Sequence, residues 1–272
     1  NGYIFRSTDF GQNWNNTWQG YLANSVAMSA DGKYQIAMNS FGNYYKSSDY
    51  GVNWSNPHSF GSPGYIAISA DGKYQTLVLQ NSVIYISPDF GTTWEAKLND
   101  TWRNWSDISM SSDGKYQTAS VNGEYLYTSS DYGQTWIAKT DYGYLNWKSL
   151  AMSSDGKYQT AAVDSGYIYS STDYGQTWTV NTNVSSLVDI TMSSDGKHRT
   201  AIASNYIYTS NNFGASWTTN FNSYNGIKAL AMSSDAKYQT MVSREWGDRG
   251  YIYTSTADSY TYGKIGIGTA SP

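Results

Sequence analysis

Two short motifs alternate along this chain at one shared period, and that period limits the folds open to it. The first reads "SSDYGQTW" from Ser129 and "STDYGQTW" from Ser171, with related copies starting at Ser7, Ser47, Ser87 and Ser210. Their third positions are Asp9, Asp49, Asp89, Asp131, Asp173 and Asn212, at steps of 40, 40, 42, 42 and 39 residues. The second reads "SSDGKYQ" or a close variant and places Asp31, Asp71, Asp113, Asp155, Asp195 and Asp235 at steps of 40, 42, 42, 40 and 40. A catalytic motif is needed once. Interleaved motifs on one period describe a structural unit that is built, turned and built again.

The unit parses into four short strands. In the copy near Lys148, "SLAMS", "KYQTAAV", "YIYSS" and "TWTVN" are apolar, alternating or aromatic segments separated by "SDGK", "DSG" and "TDYGQ". Gly in such turns supplies positive φ, and Asp and Ser bond the local backbone. No segment carries a 3.6-residue apolar stripe of helical length. Aromatics make up 17% of the chain, with 27 Tyr and 11 Trp, and these suit strands. Four strands in each repeat of about 41 residues predict an all-β propeller of four-stranded antiparallel blades.

The eight-residue motif resembles the Asp-box (BNR) turn, Ser-x-Asp-x-Gly-x-Thr-Trp, of sialidase-like propellers. The resemblance implies that these turns join third to fourth strands, and that Asp9, Asp49, Asp89, Asp131, Asp173 and Asn212 are structural and lie away from the working face. A degenerate copy, "STADSYTY" from Ser255, puts Ala257 where the Asp belongs, and "GKIGIG" stands in the place of a fourth strand. The propeller is expected over residues 1–262, with 263–272 as either the last outer strand or the start of a linker. Six complete blades plus a leading third and fourth strand favour seven blades over six.

In an up-and-down blade, alternate turns share one side. The invariant motifs therefore define a scaffold face, and the dissimilar loops define the face where function is usually placed. Six Trp belong to Asp-boxes; the other five, Trp18, Trp102, Trp105, Trp147 and Trp246, fall in or beside the variable loops. With Arg103, Tyr144, Arg244 and Arg249 they form the candidate ligand-binding set. Rigid aromatic faces suit sugar rings and protein contacts alike.

The resemblance to sialidases implies an arginine trio, a Tyr–Glu nucleophile pair and an Asp acid/base. Here "IFRST" around Arg6 lacks the Ile-Pro of the sialidase motif, only five Arg and three Glu exist, and Glu124, Asp164, Glu245 and Asp248 show no distinctive pairing. Two carboxylates at defined separation are what glycoside hydrolysis needs, so no catalytic residue is expected, and glycosidase activity is the alternative. The last ten residues, "GKIGIGTASP", resemble a "GxIGIGTxSP" segment of viral tail-fibre and surface-fibre proteins. That resemblance implies a glycan- or receptor-attachment module displayed outside the cell or on a virion, multimeric through regions outside this chain. A third resemblance, to photosystem II assembly factors, implies a protein-binding scaffold. A net charge of −4 with scattered Lys and Arg argues against nucleic acid. No run approaches the roughly 20 apolar residues of a membrane span. The absence of Cys excludes disulfides and thiolate metal sites. His58 and His198 lie in unrelated contexts, so no metal or cofactor is expected.

Overall fold

The computed structural model describes residues 4–9, 12–18, 23–184, 186–203, 206–221, 226–244, 250–256 and 263–267. The chain divides into two compact units, Asn1–Trp147 and Lys148–Pro272. In unit 1, β1 (Ile4–Arg6) and β2 (Asn15–Trp18) form a hairpin. Three four-stranded antiparallel meanders follow. They are β3 (Ala23–Met28), β4 (Gln35–Asn39), β5 (Asn43–Ser47) and β6 (His58–Ser59); then β7 (Gly64–Ile68), β8 (Gln75–Leu79), β9 (Ile84–Ser87) and β10 (Glu95–Lys97); then β11 (Trp105–Met110), β12 (Gln117–Glu124), β13 (Leu126–Ser129) and β14 (Ile137–Lys139). The chain crosses into unit 2 within β15 (Leu145–Met152), which is followed by β16 (Gln159–Val163), β17 (Gly166–Ser171) and β18 (Thr179–Val184). Two further sheets comprise β19 (Leu187–Met192), β20 (Arg199–Ala203), β21 (Tyr206–Ser210), β22 (Thr218–Phe221), and β23 (Ile227–Met232), β24 (Tyr238–Arg244), β25 (Gly250–Thr256), β26 (Gly263–Ile267).

Each sheet is an up-and-down meander, as the repeat predicts. The single helical turn among the described residues is the 3-10 turn Thr140–Tyr142. The described strands make four four-stranded sheets, one eight-stranded sheet in which β12 also pairs with β15, and one two-stranded hairpin. The seven blades favoured from the sequence are not reached among the described strands, where β1 and β2 form only a two-stranded hairpin. The segment Gly263–Ile267 pairs with β25 as a fourth strand.

The cores lie between successive sheets, because strands two and three are buried on both faces. Ile36, Met38, Leu77, Leu79 and Ile84 are almost inaccessible, as are Ala161, Ile168, Ile202 and Met241 in unit 2. Polar side chains also cross between sheets. In unit 1, Tyr44 Oη donates to Gln75 Oε1 (2.7 Å), and Thr76 Oγ1 donates to Gln117 Oε1 (2.8 Å). In unit 2, the buried Asp189 of β19 accepts from Ser149 Oγ of β15 (2.7 Å) and from the Leu230 N–H of β23 (2.7 Å). One carboxylate thus ties three consecutive sheets.

In the sheets whose two motifs are both described, the motifs meet at one end. In the Asp49 turn, Ser47 Oγ donates to Asp49 Oδ1 (2.8 Å) and accepts the Gly51 N–H (2.9 Å), while Asn53 donates its backbone N–H to Oδ1 (2.9 Å) and its amide to Oδ2 (2.7 Å). The second motif is held alike: Ser69 Oγ donates to Asp71 Oδ1 (2.6 Å), which also accepts the Lys73 N–H (2.9 Å). At three Asp-boxes the aromatic residue before the Gly takes a positive φ and reaches the neighbouring sheet: Phe90 60°, Tyr132 64° and Phe213 61°. That conformation turns its ring onto the Tyr of the preceding sheet's second motif. Tyr34 meets Phe90 at 4.8 Å, Tyr74 meets Tyr132 at 4.7 Å, and in unit 2 Tyr158 meets Phe213 at 4.6 Å. Gly72 must be Gly twice over, since φ is 84° and a Cβ would stand 2.6 Å from Tyr34.

Two stability predictions follow from these bonds. The Asn53 backbone N–H, then its side chain, holds the Asp49 carboxyl at about 2 against an ordinary 3.8; the Thr93 N–H does the same for Asp89. A folded pKa below the unfolded one stabilises the fold above about 4, and that contribution disappears as pH falls toward 2. Acid titration monitored by tryptophan fluorescence is expected to show a shallower loss of stability across that window in Asp49→Asn and Asp89→Asn than in the parent. Separately, Asp189→Ala strands the buried Leu230 N–H and is expected to destabilise by about 1–3 kcal/mol in urea unfolding.

Candidate functional site

The variable loops of unit 1 gather around Arg103. The chain leaves β10, turns through Leu98–Trp102, and returns to the sheet at Arg103, whose backbone pairs with Ser82 in both directions (N–H to O, 3.0 and 3.2 Å). Arg103 is only 7% exposed, although it lies in a loop. Its Nη1 and Nη2 each donate to one oxygen of Asp100 (2.9 Å each), Nε donates to Tyr127 Oη (2.9 Å), and Nη1 reaches the Thr101 carbonyl (3.1 Å). The guanidinium also stands 5.1 Å from the Tyr127 ring centre and 3.9 Å from Glu124 Oε2. The bond with Asp100 raises the Arg103 pKa and lowers that of Asp100. Burial raises the Tyr127 phenol, against the pull of Arg103.

This network places the exposed aromatics. Trp102 precedes Arg103 and is 77% exposed; Tyr144, in the loop before β15, is 68% exposed. Tyr144 stacks on Tyr125 at 4.7 Å and precedes Leu145, which pairs with Glu124. Glu124 and Arg103 therefore lie between the segments that carry the two exposed rings. Asp100 and Glu124 keep 63% and 40% of their side-chain surface open, so the rim is aromatic and weakly acidic.

Several of the expected contact residues are elsewhere. Trp105 and Trp147 are 0% and 1% exposed and cannot offer a face to a ligand. Trp105 packs among Val78, Ile84, Ile108 and Val121, meets Tyr127 edge-on at 5.3 Å, and donates Nε1 to the Ser82 carbonyl (3.2 Å). Trp147 donates Nε1 to the Glu124 carbonyl (3.1 Å). Both are core residues near the start of their strands, β11 and β15. Arg103 is a positioning residue with its donors engaged. Trp18 and Arg244 sit in β2 and β24 by their backbones, with side chains outside the described set; Trp246, Arg249, Glu245 and Asp248 lie outside the described residues altogether. Asp100, Tyr125 and Tyr127 join this candidate site, and the sequence does not single them out. The signal for Asp100 was its i,i+3 spacing to Arg103.

The arginines of an acid-sugar site do not gather here among the described residues. Arg6 donates from Nη1 to the Tyr50 carbonyl of the next Asp-box turn, as Lys46 does to the Gly91 carbonyl (3.1 Å). Arg199 lies in unit 2, also beside Asp-box residues. Among the described residues, no group of three or more His, Asp or Glu side chains could hold a metal.

A sequence profile of the BNR-Asp box repeat matches residues 4–17, which hold the first Asp-box. No curated protein matches the chain. A solved structure described as YCF48 bound to D1 peptide is similar in fold, with a TM-score of 0.67 and 16% identity, covering 90% of this chain and 82% of that one. The β-propeller domain of Myceliophteria thermophila Cps50 (Swd1) is also similar, with a TM-score of 0.71 and 9% identity, covering 93% and 88%. The chain is an all-β propeller with Asp-box repeats. Since 1346 solved chains match it, the fold alone selects no activity.

The geometry separates support from contact. Arg103→Ala is expected to destabilise by about 1.5–3 kcal/mol, because a buried charge-assisted network is lost. Trp102→Ala, at an exposed position, is expected to stay within about 0.5 kcal/mol of the parent. Chemical denaturation of both variants measures the difference, and equal effects would show that the loop is not organised around Arg103.

Proposed function

We propose that this protein is a non-catalytic recognition module that holds an extended segment of a partner protein on the loop rim of unit 1. The observation that carries the reading is the pair Trp102 and Tyr144, widely exposed on two loops that meet beside the buried Arg103 guanidinium. Exposed aromatic rings on rigid backbone lose little entropy on binding, and such residues anchor interfaces. The weakly acidic surroundings of Asp100 and Glu124 suit a segment carrying apolar and basic side chains. A propeller of similar fold has been solved with a peptide bound, which favours a protein segment as the ligand class.

The non-catalytic part of the reading rests on the carboxylates. Hydrolysis of a glycoside calls for an acid with raised pKa facing an ionised partner. At this rim, Asp100 is held ionised by Arg103, and Glu124 approaches the same guanidinium. A glycan ligand is the second reading, favoured by the open face of Trp102, on which a sugar ring could stack. Display on a fibre would raise the avidity of either ligand.

Parallel peptide and glycan arrays probed with the parent, Trp102→Ala and Tyr144→Ala test the proposal. Peptide binding by the parent is expected, weakened by about 0.5–1.5 kcal/mol for each ring removed, or roughly 2- to 12-fold in Kd. Glycan binding without peptide binding would transfer the assignment to the second reading. Sugar release by the parent would end the non-catalytic one.

A further inference from the structure

One repeat of unit 2 departs from the others at three positions that lie close in the fold. Where the other copies of the second motif carry Gln35, Gln75, Gln117, Gln159 and Gln239, this one carries Arg199, preceded by His198 in place of Tyr. Where the other complete Asp-boxes carry Asp, this one carries Asn212. Arg199 is 1% exposed and lies directly under that turn: a Cβ on Gly214 would stand 2.6 Å from its Nη1. Relative to a sister repeat, one positive charge has been added and one negative charge removed at the same spot.

The donors of Arg199 are only partly used. Nε donates to the Gly196 carbonyl (3.0 Å), and Nη1 donates to Thr160 Oγ1 (2.5 Å) and Ser170 Oγ (2.9 Å). Nη2 has no acceptor, and among the described residues no carboxylate lies within ion-pair distance of the guanidinium. Burial lowers the Arg199 pKa to about 10, so the group is still charged at neutral pH. A buried charge is normally paired.

Asn212 frees a second donor. In the Asp-boxes of Asp89, Asp131 and Asp173, the hydroxyl of Thr93, Thr135 or Thr177 donates to the carboxylate at 2.6–2.7 Å. In this turn the bond is reversed: Asn212 Nδ2 donates to Ser216 Oγ (2.8 Å), and Asn212 Oδ1 keeps the structural bonds to Ser210 Oγ and the Ser216 N–H. The shape of the turn is preserved, and the Ser216 hydroxyl proton is left to donate elsewhere. Arg199 and Ser216 line one cavity of about 120 Å³, together with Thr209, Ser210, Thr218 and Gln239.

We infer that this cavity is a binding site for a small inorganic anion of the halide class, held by the Arg199 guanidinium and the Ser216 hydroxyl. The site belongs to the Asp-box side of unit 2 and is independent of the recognition rim. Its role is to neutralise a charge that the other repeats do not bury, and so to couple the stability of this sheet to the anion concentration.

Two substitutions restore what the sister repeats contain: Arg199→Gln and Asn212→Asp. Both are expected to fold, because their residues already occupy the equivalent positions of other repeats. Thermal unfolding is followed while sodium chloride replaces sodium gluconate at constant ionic strength. The parent is expected to show a saturable rise in Tm of roughly 2–4 °C, and both variants a flat response. In crystals soaked in sodium bromide, an anomalous peak is expected beside Arg199 in the parent and not in Arg199→Gln. No chloride response in the parent, an equal response in Arg199→Gln, or no bromide peak at Arg199 would each overturn the assignment.

Discussion

The left-handed aromatic residue of the described Asp-boxes is the constraint on which the sheets' alignment depends. A non-glycine residue at positive φ is disfavoured by about 1–2 kcal/mol, yet Tyr50, Phe90, Tyr132, Tyr174 and Phe213 all adopt it at 60–64°. Two gains offset the strain. The Phe90 N–H bonds the Lys73 carbonyl of its own sheet (3.0 Å), worth about 0.5–1.5 kcal/mol. The ring also stacks on the preceding sheet's Tyr34 at 4.8 Å, worth a similar amount. Only the conformation that costs energy locally carries the ring across to the neighbour. Backbone bonds run beside these stacks from turn to turn, Ala30 to Ala70 to Ser112 in unit 1 and Ser154 to Ser194 to Ser234 in unit 2.

That seam leaves the opposite end of each sheet free to vary, and its loops obtain rigidity in a different way. The Leu98–Trp102 turn has no repeated motif. It is fixed by one guanidinium that binds a carboxylate, a phenol and a carbonyl at once. A long buried side chain reaching back under its own loop sets Trp102 outward, because Trp102 is the residue between the anchor at Arg103 and the turn. Recognition needs this combination of fixed backbone and open ring; acid–base catalysis needs titratable groups whose environments pull them apart. At this rim, both carboxylates face the same cation.

The architecture was legible because it is written six times. Period, strand number and the position of the Asp-box turns could all be read from spacing. The candidate site was less legible, and Trp105 and Trp147 show why. They were assigned to loops because they sit beside dissimilar sequence. Aligned on the Ser of the second motif, however, both fall six residues upstream, in register with Leu187 and Ile227. All four are buried at 6% exposure or less, so in these four repeats the position holds a large apolar side chain in the core, and Trp fills it as Leu and Ile do. Arg103 misled in the opposite sense. Its charge suggested a ligand contact, whereas the Asp100 that neutralises it lies three residues away, in a loop whose conformation no periodicity describes.

Repetition also supplies its own controls. In a chain without repeats, an Arg in place of a Gln is one residue among many. Here five equivalent positions hold Gln, and Gln75 and Gln117 show what the site normally does: each accepts a hydroxyl from the preceding sheet and donates to the Gly carbonyl of its own turn. Arg199 keeps the donation to Gly196 and, having no acceptor atom, becomes the donor to Thr160 instead. A guanidinium has five N–H groups where the amide has two, so the bonds inherited from Gln leave part of it unused. In the turn above it, Asn212 stands where the sister repeats carry a carboxylate, so that turn offers no negative charge. Two substitutions that each preserve the local fold thus combine into a charge imbalance that the fold does not resolve by itself.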